Sequence, residues 1–168
     1  VIIVKGDTVF NQVPKFILKN QDGQKYVFDK DSSQVKVVNF FFSRCGTICP
    51  VTNKNINRLS EKFKDKSVKF VSISVDPKYD QPEILKAYKN KFLYKNKNWD
   101  LLTGDKKYIY ELAIGGFKLP VSDASEYDKN IENIDETFIH SEKFLLIDDQ
   151  GYIRGIYDGT STSDIDRL

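Results

Sequence analysis

Short apolar runs alternate with polar breaks along the chain, and the first runs have the period of strands. Two alternating runs at 15–19 and 25–28 flank an Asp-Gly pair, which predicts a β-hairpin. The runs at 35–42 and 68–75 are β-branched and aromatic, which is typical of central strands buried on both faces. Residues 1–11 are apolar without a clear period, so we expect a leading arm there.

Helical periods follow these strands. After residue 42, apolar positions recur every three or four residues up to Phe63, which predicts a first helix. A second helix has Asp80 as its cap and Pro82 in its first turn, and its predicted apolar face is Ile84, Leu85, Tyr88 and Phe92. Residues 99–102 predict a short strand, and Asp105 caps a third helix.

The last third of the chain combines a long polar connection with a second hairpin. Residues 117–138 are rich in Ser, Asp, Glu and Asn, and we expect them to form a mobile loop. Strands at 143–148 and 152–157 flank a Gly-containing turn, and 160–168 predicts a short final helix capped by Ser163.

This element order predicts the fold class. Helices alternate with strands and an antiparallel hairpin closes the chain, which indicates an α/β protein with a central mixed β-sheet flanked by helices. A βαβ unit followed by ββα is the thioredoxin-like arrangement, to which the first hairpin is an N-terminal addition. We predict a single domain over 1–168, with an arm and hairpin at 1–30.

Composition narrows the class of function. The chain has 168 residues, of which 40% are hydrophobic and 30% charged, as in ordinary soluble domains. The 26 basic and 24 acidic residues give a net charge of +2, which does not indicate electrostatic binding of nucleic acid. The chain begins at Val1 and contains no Met, so we expect a processed or trimmed form.

Candidate chemistry is concentrated in the two cysteines, Cys45 and Cys49. They lie where a central strand leads into a helix, and a shared first helical turn would place their Cα atoms about 6 Å apart. Two sulfurs at that distance can form a disulfide or share one soft metal ion, and a helix N-terminus favours thiolate in either case. The pattern therefore leaves a redox-active pair and a metal site both open.

His140 is the single histidine. A lone histidine is more often a surface side chain than a metal ligand. This one stands at the end of the long connection, just before the strand at 143–148. In a thioredoxin-like arrangement that point lies beside the cysteine turn, so His140 is a candidate third ligand.

Residues 40–50, which end in Cys-Gly-Thr-Ile-Cys-Pro, resemble the aromatic and C-x-x-x-C-P signature of the Sco/SenC proteins. The Asp76-Pro77 pair, the segment 99–104 and the position of His140 are similar to further parts of that family. The resemblance implies a thioredoxin fold in a membrane-anchored, periplasmic domain outside the cytoplasm that delivers copper to cytochrome c oxidase. It also implies that Cys45, Cys49 and His140 bind copper.

Two positions depart from the family pattern. Thr47 and Ile139 stand where the family often has acidic residues, one between the cysteines and one just before the histidine. Carboxylates are hard donors, so their absence favours Cu(I) over Cu(II). We expect a copper-centre subunit of cytochrome c oxidase, or another copper protein, as partner, and a membrane tether ahead of Val1.

A thiol–disulfide oxidoreductase and a redox sensor, both acting through Cys45 and Cys49, are the alternatives. Thioredoxin-like reductases carry a proline just before the strand beside the active site, where it presents backbone to substrate. This chain has no proline after Pro120, and the segment that contains His140 takes that place. The arrangement favours a metal site without excluding exchange with thiol–disulfide partners, since the cysteines must be reduced to bind copper.

Overall fold

The computed structural model describes residues 2–4, 7–29, 33–91, 96–119, 122–123, 138–139 and 142–168. Seven strands of this part of the chain form one sheet in the order β11-β10-β5-β6-β7-β3-β4. Its strands are β3 (Phe16–Asn20), β4 (Lys25–Phe28), β5 (Val35–Phe41), β6 (Val68–Ser74), β7 (Trp99–Thr103), β10 (Lys143–Ile147) and β11 (Ile153–Asp158). Two small two-stranded sheets pair β1 (Ile2–Val4) with β2 (Asp7–Val9) and β8 (Ser122–Asp123) with β9 (Phe138–Ile139).

The sheet is mixed, as the element order predicts. β5, β6 and β7 run parallel, whereas β10 is antiparallel to β5 and β11 is antiparallel to β10. The N-terminal hairpin of β3 and β4 joins the opposite side of the sheet, where β3 pairs antiparallel with β7. The predicted α/β class and the predicted N-terminal hairpin are therefore confirmed.

Four α-helices accompany the sheet in the described residues: α1 (Ile48–Lys62), α2 (Pro82–Lys91), α3 (Lys106–Glu111) and α4 (Thr162–Arg167). Asp105 caps α3 as predicted, because its side chain accepts a hydrogen bond from the Tyr108 backbone N–H at 2.8 Å. One turn of π-helix at Leu112–Gly116 continues α3. The sequence pattern predicts a helix here but not its π-helical form. The predicted cap of the last helix is wrong: Ser161, and not Ser163, accepts the N–H of Asp164.

The core is built on the two central strands. β5 and β6 are buried along most of their length, and Phe40, Phe41 and Phe42 are almost completely buried. A chain of hydrogen bonds crosses this core: the Trp99 indole donates to the Ser72 hydroxyl at 2.9 Å, which donates to Asn39 Oδ1. Partnered in this way, the Trp99, Ser72 and Asn39 side chains avoid most of the penalty of burial.

Two segments differ from the sequence prediction. The unpatterned arm contains the β1–β2 pair, whose short strands lack the alternation that marks a longer strand. The predicted loop at 117–138 starts with buried anchors, since Phe117 and Leu119 both belong to the core and Phe117 stacks edge-on against Phe40. The rest of this stretch is described only at β8 and β9.

Candidate dithiol site

Cys45 and Cys49 come together in the turn that joins β5 to α1. Cys49 lies in the first turn of α1, as predicted. Cys45 precedes the helix and lies beyond the end of β5, in a turn closed by its backbone N–H donating to the Phe42 carbonyl at 3.2 Å. The sequence predicts Cys45 at the end of the strand and Cys49 in the first helical turn, and the structure places Cys45 just beyond the end of β5, in the turn itself.

The turn brings the Cys45 side chain against the first turn of α1. The backbone N–H of Cys49 donates to Cys45 Sγ at 3.4 Å, and the Thr47 hydroxyl lies 3.9 Å from the same sulfur. Both residues are thiols, and both are buried, with exposed fractions of 6% for Cys45 and 1% for Cys49. An N–H at the start of a helix interacts more strongly with a thiolate than with a thiol, so this geometry favours the form that binds metal or attacks a disulfide.

A completely buried carboxylate, Asp80, holds the turn from the segment between β6 and α2. It accepts hydrogen bonds from the Ser43 backbone N–H at 3.0 Å, from the Ser43 hydroxyl, and from the Ser74 hydroxyl at 2.5 Å. Ser43 lies two residues before Cys45, and Ser74 ends β6. Asp80 therefore joins the cysteine turn to the carboxyl end of the adjacent parallel strand, and does so with the side chain that the sequence assigned to capping α2.

An ion pair holds the same turn one residue further on. Both Nε and Nη2 of Arg44 donate to Asp76 Oδ2, at 3.0 and 2.5 Å, and the guanidinium lies 4.4 Å from the centre of the Tyr79 ring. Burial raises the pKa of the Asp76 carboxyl above its ordinary value, and the hydrogen bonds and charge of Arg44 oppose that rise. Arg44 thus fixes the backbone next to Cys45 through contacts to the segment after β6.

The sequence indicates Asp76 as part of the Asp-Pro pair that resembles the family pattern and Asp80 as the start of a helix, but not their contacts with the cysteine turn. The signal that would have found their second role is their place at the carboxyl end of β6, which lies beside the carboxyl end of β5 in a parallel pair. His140 lies outside the described residues. Within the described residues there is no group of three His, Cys, Asp or Glu side chains that could hold a metal ion, so the two sulfurs are the candidate donors that the structure places.

Comparisons with known proteins agree on one family. The sequence profile of the SCO1/SenC family matches residues 6–166. A SCO1/SenC family lipoprotein from Bacillus anthracis is 32% identical, with 95% of each chain covered and a TM-score of 0.78. BsSco, a member of the Sco family of cytochrome c oxidase assembly proteins with an identified disulfide switch, is 30% identical, with 96% of this chain and 91% of that chain covered and a TM-score of 0.79.

A more distant structure extends the likeness in fold. Bradyrhizobium japonicum ScoI, solved with copper bound, is 22% identical, with 93% of this chain and 98% of that chain covered and a TM-score of 0.71. The two closer structures show that the chain has the thioredoxin-like Sco fold. Within the described ranges, no helix has the length and apolar character needed to cross a membrane.

Proposed function

This chain belongs to the SCO1/SenC family, and we propose that it binds Cu(I) through Cys45, Cys49 and His140 and delivers the ion during assembly of cytochrome c oxidase. The proposed recipient is the copper-centre subunit of the oxidase or another copper protein. In this role copper is cargo, so the site must bind the ion selectively and still release it to a partner.

The observation that carries the proposal is the pair of buried thiols at the start of α1, where Cys45 Sγ lies against the backbone N–H of Cys49. Thiolates are soft donors that select Cu(I), and an imidazole is a suitable third ligand for the same ion. The surroundings of the pair supply no competing carboxylate between the cysteines, where Thr47 stands. Burial of both sulfurs also limits their contact with water, which protects a reduced copper–thiolate site from oxidation.

We infer that the domain acts outside the cytoplasm, tethered to a membrane by a segment that precedes Val1. The Bacillus anthracis relative is a lipoprotein, which is a membrane-tethered class. Outside the cytoplasm thiols are readily oxidised, so a cysteine pair there alternates between disulfide and dithiol unless a reductant maintains it. Reduction of the pair is therefore a necessary step before each round of Cu(I) binding.

A second candidate function is thiol–disulfide exchange through the same pair. The observation that favours it is the approach of the Cys49 N–H to Cys45 Sγ, which places a thiolate-stabilising donor at the cysteine in the turn. BsSco, a relative of similar fold, has a disulfide switch. In this alternative the pair maintains the thiols of a partner protein, or senses redox conditions, without carrying copper.

A Cu(I) titration separates the two functions. Anaerobically reduced protein is titrated with Cu(I) against a competing chelator, and reduction of a partner disulfide is measured on the same samples. We expect Cys45→Ser and Cys49→Ser each to abolish tight binding, because one thiolate and one imidazole make a weak site. His140→Ala should weaken Cu(I) binding by about 10- to 100-fold and leave disulfide formation between the cysteines intact.

The disulfide measurement on His140→Ala is the control, because it reports whether the cysteine turn is still folded. Unchanged Cu(I) affinity in His140→Ala, together with high turnover of the partner disulfide in both proteins, would show that the chain is an oxidoreductase and that copper delivery is not its function.

A further inference from the structure

We propose that Asp80 is a positioning residue for the cysteine pair, and that by holding Ser43 it keeps the pair in the dithiol form. The inference rests on the proposed redox activity of Cys45 and Cys49, and adds a residue that controls it. Asp80 contacts neither sulfur in the described structure; it acts through the turn that carries Cys45.

The contact between Asp80 and Ser43 is a strong one. Asp80 is fully buried, and its carboxylate accepts both the backbone N–H and the hydroxyl of Ser43. A buried carboxylate that accepts several hydrogen bonds holds its donors more firmly than a neutral acceptor does. The Ser74 hydroxyl fixes Asp80 from the β6 side at 2.5 Å, so the anchor for Ser43 belongs to the central sheet.

Disulfide formation requires one of the two cysteines to move toward the other. Oxidation forms one bond of about 2.05 Å between the sulfurs, so the two thiols must approach from non-bonded separation. Cys49 belongs to α1 and is 1% exposed within the core, whereas Cys45 lies in the turn. We therefore expect closure to move the turn, whose backbone is held at Ser43.

The contact between Asp80 and Ser43 affects the equilibrium between dithiol and disulfide. With glutathione as the redox partner, the two thiols lose two electrons and two protons as the disulfide forms, and one glutathione disulfide is reduced to two glutathione molecules. Contacts present in the dithiol and strained in the disulfide stabilise the dithiol, and weakening them shifts the equilibrium toward the disulfide. For a protein that must be reduced to bind copper, such an anchor increases the fraction ready to bind.

The Arg44–Asp76 ion pair holds the same turn, but we expect it to restrain the turn less than Asp80 does. The Arg44 side chain is 37% exposed and can keep water contacts when the turn moves. Asp80 has no such freedom, because it is buried and accepts hydrogen bonds from both Ser43 and Ser74. The proposal therefore concerns Asp80 and its donor Ser43.

The test is the equilibrium between dithiol and disulfide in copper-free protein, measured against mixtures of reduced and oxidised glutathione. Asp80→Asn keeps the shape of the side chain but replaces one acceptor oxygen with a donor amide. We expect it to shift the equilibrium toward the disulfide by about 3- to 10-fold, the scale of one weakened hydrogen bond to a charged group. Ser43→Ala keeps the backbone N–H contact and should give a smaller shift in the same direction.

Three further variants separate positioning from a general loss of stability. Ser43→Thr keeps the hydroxyl and should restore the wild-type equilibrium. The double variant Asp80→Asn/Ser43→Ala should shift the equilibrium no further than Asp80→Asn alone, because both changes break the same contact. Asp105→Asn, which removes a carboxylate that caps α3, should leave the equilibrium at the wild-type value.

An unchanged equilibrium in Asp80→Asn, or a shift toward the dithiol, would overturn the proposal; if that variant does not fold, an unchanged Ser43→Ala would do the same. A wild-type protein that forms no Cys45–Cys49 disulfide under any glutathione ratio would contradict the proposed redox pair itself. Because no copper is present, neither outcome depends on whether the chain binds Cu(I).

Discussion

At the scale of single residues, the charge of Arg44 stabilises the turn beside the thiols through its ion pair with Asp76. We expect Arg44→Gln to lower the free energy of unfolding by about 1–2 kcal/mol at pH 7, because it leaves the buried Asp76 carboxylate without its cation. The loss stays below that of a fully buried pair, since Arg44 is partly exposed. Urea unfolding measures it, with Arg58→Gln as control, because the Arg58–Asp166 pair is exposed on both sides.

The same variant has a pH signature. Burial raises the pKa of the Asp76 carboxyl, so its protonated form is favoured in the folded protein. The contribution of Asp76 to the free energy of unfolding is therefore fully present below the ordinary pKa of 3.8, and it is lost as the pH rises through the raised pKa. Arg44 reduces that loss. The difference between wild type and Arg44→Gln should therefore shrink as the pH falls and Asp76 becomes protonated, and a difference that grows toward acid would contradict this account.

The sequence predicted the identity of the thiol pair but not the side chains that hold it. Cys45 and Cys49 are recognisable because a strand, a turn and a helix follow one another locally. Asp80 is a plausible helix cap by the same local reasoning, and its contact with Ser43 spans 37 residues. Contacts of that kind depend on which strands are neighbours, and local pattern does not determine strand order.

At the scale of elements, the C-terminal helix depends on the cap that the sequence misassigned. We expect Ser161→Ala to destabilise the protein by about 1 kcal/mol, because it removes the acceptor for the Asp164 N–H and α4 carries the buried Ile165. Ser163→Ala is the matched control and should change stability by a few tenths of a kcal/mol. Thermal unfolding of the two variants side by side checks this, and equal losses would show that Ser161 has no special role as cap.

Elements with a strong period were predicted well, and elements without one were not. β5, β6 and α1 combine a clear apolar pattern with ordinary length, so their bounds agree with the sequence to within a few residues. β1, β2, β8 and β9 have two or three residues each, which is too short to show a period. Ser161 and Ser163 are both good caps by residue type, and only the backbone decides between them.

At the scale of the whole molecule, the sheet order predicts how the protein opens. β5 and β6 are central, buried on both faces, and paired on both sides, whereas β4 is at an edge. In native-state hydrogen exchange, we expect the amides of β5 and β6 to exchange with a free energy close to that of global unfolding. Those of β4 should exchange by local opening, at least about tenfold faster. Amides of β4 that exchange as slowly as those of β5 would contradict this order.

The burial of both sulfurs also has a consequence for reagent size. A metal ion or a small oxidant needs only a narrow gap to reach Cys45 or Cys49, whereas a bulky alkylating compound or a protein thiol needs a much wider opening. We therefore expect a metal ion or a small oxidant to reach the buried cysteines more readily than a macromolecule, which needs the turn to move. Speed of modification will then depend on the dimensions of the attacking molecule more than on its intrinsic reactivity.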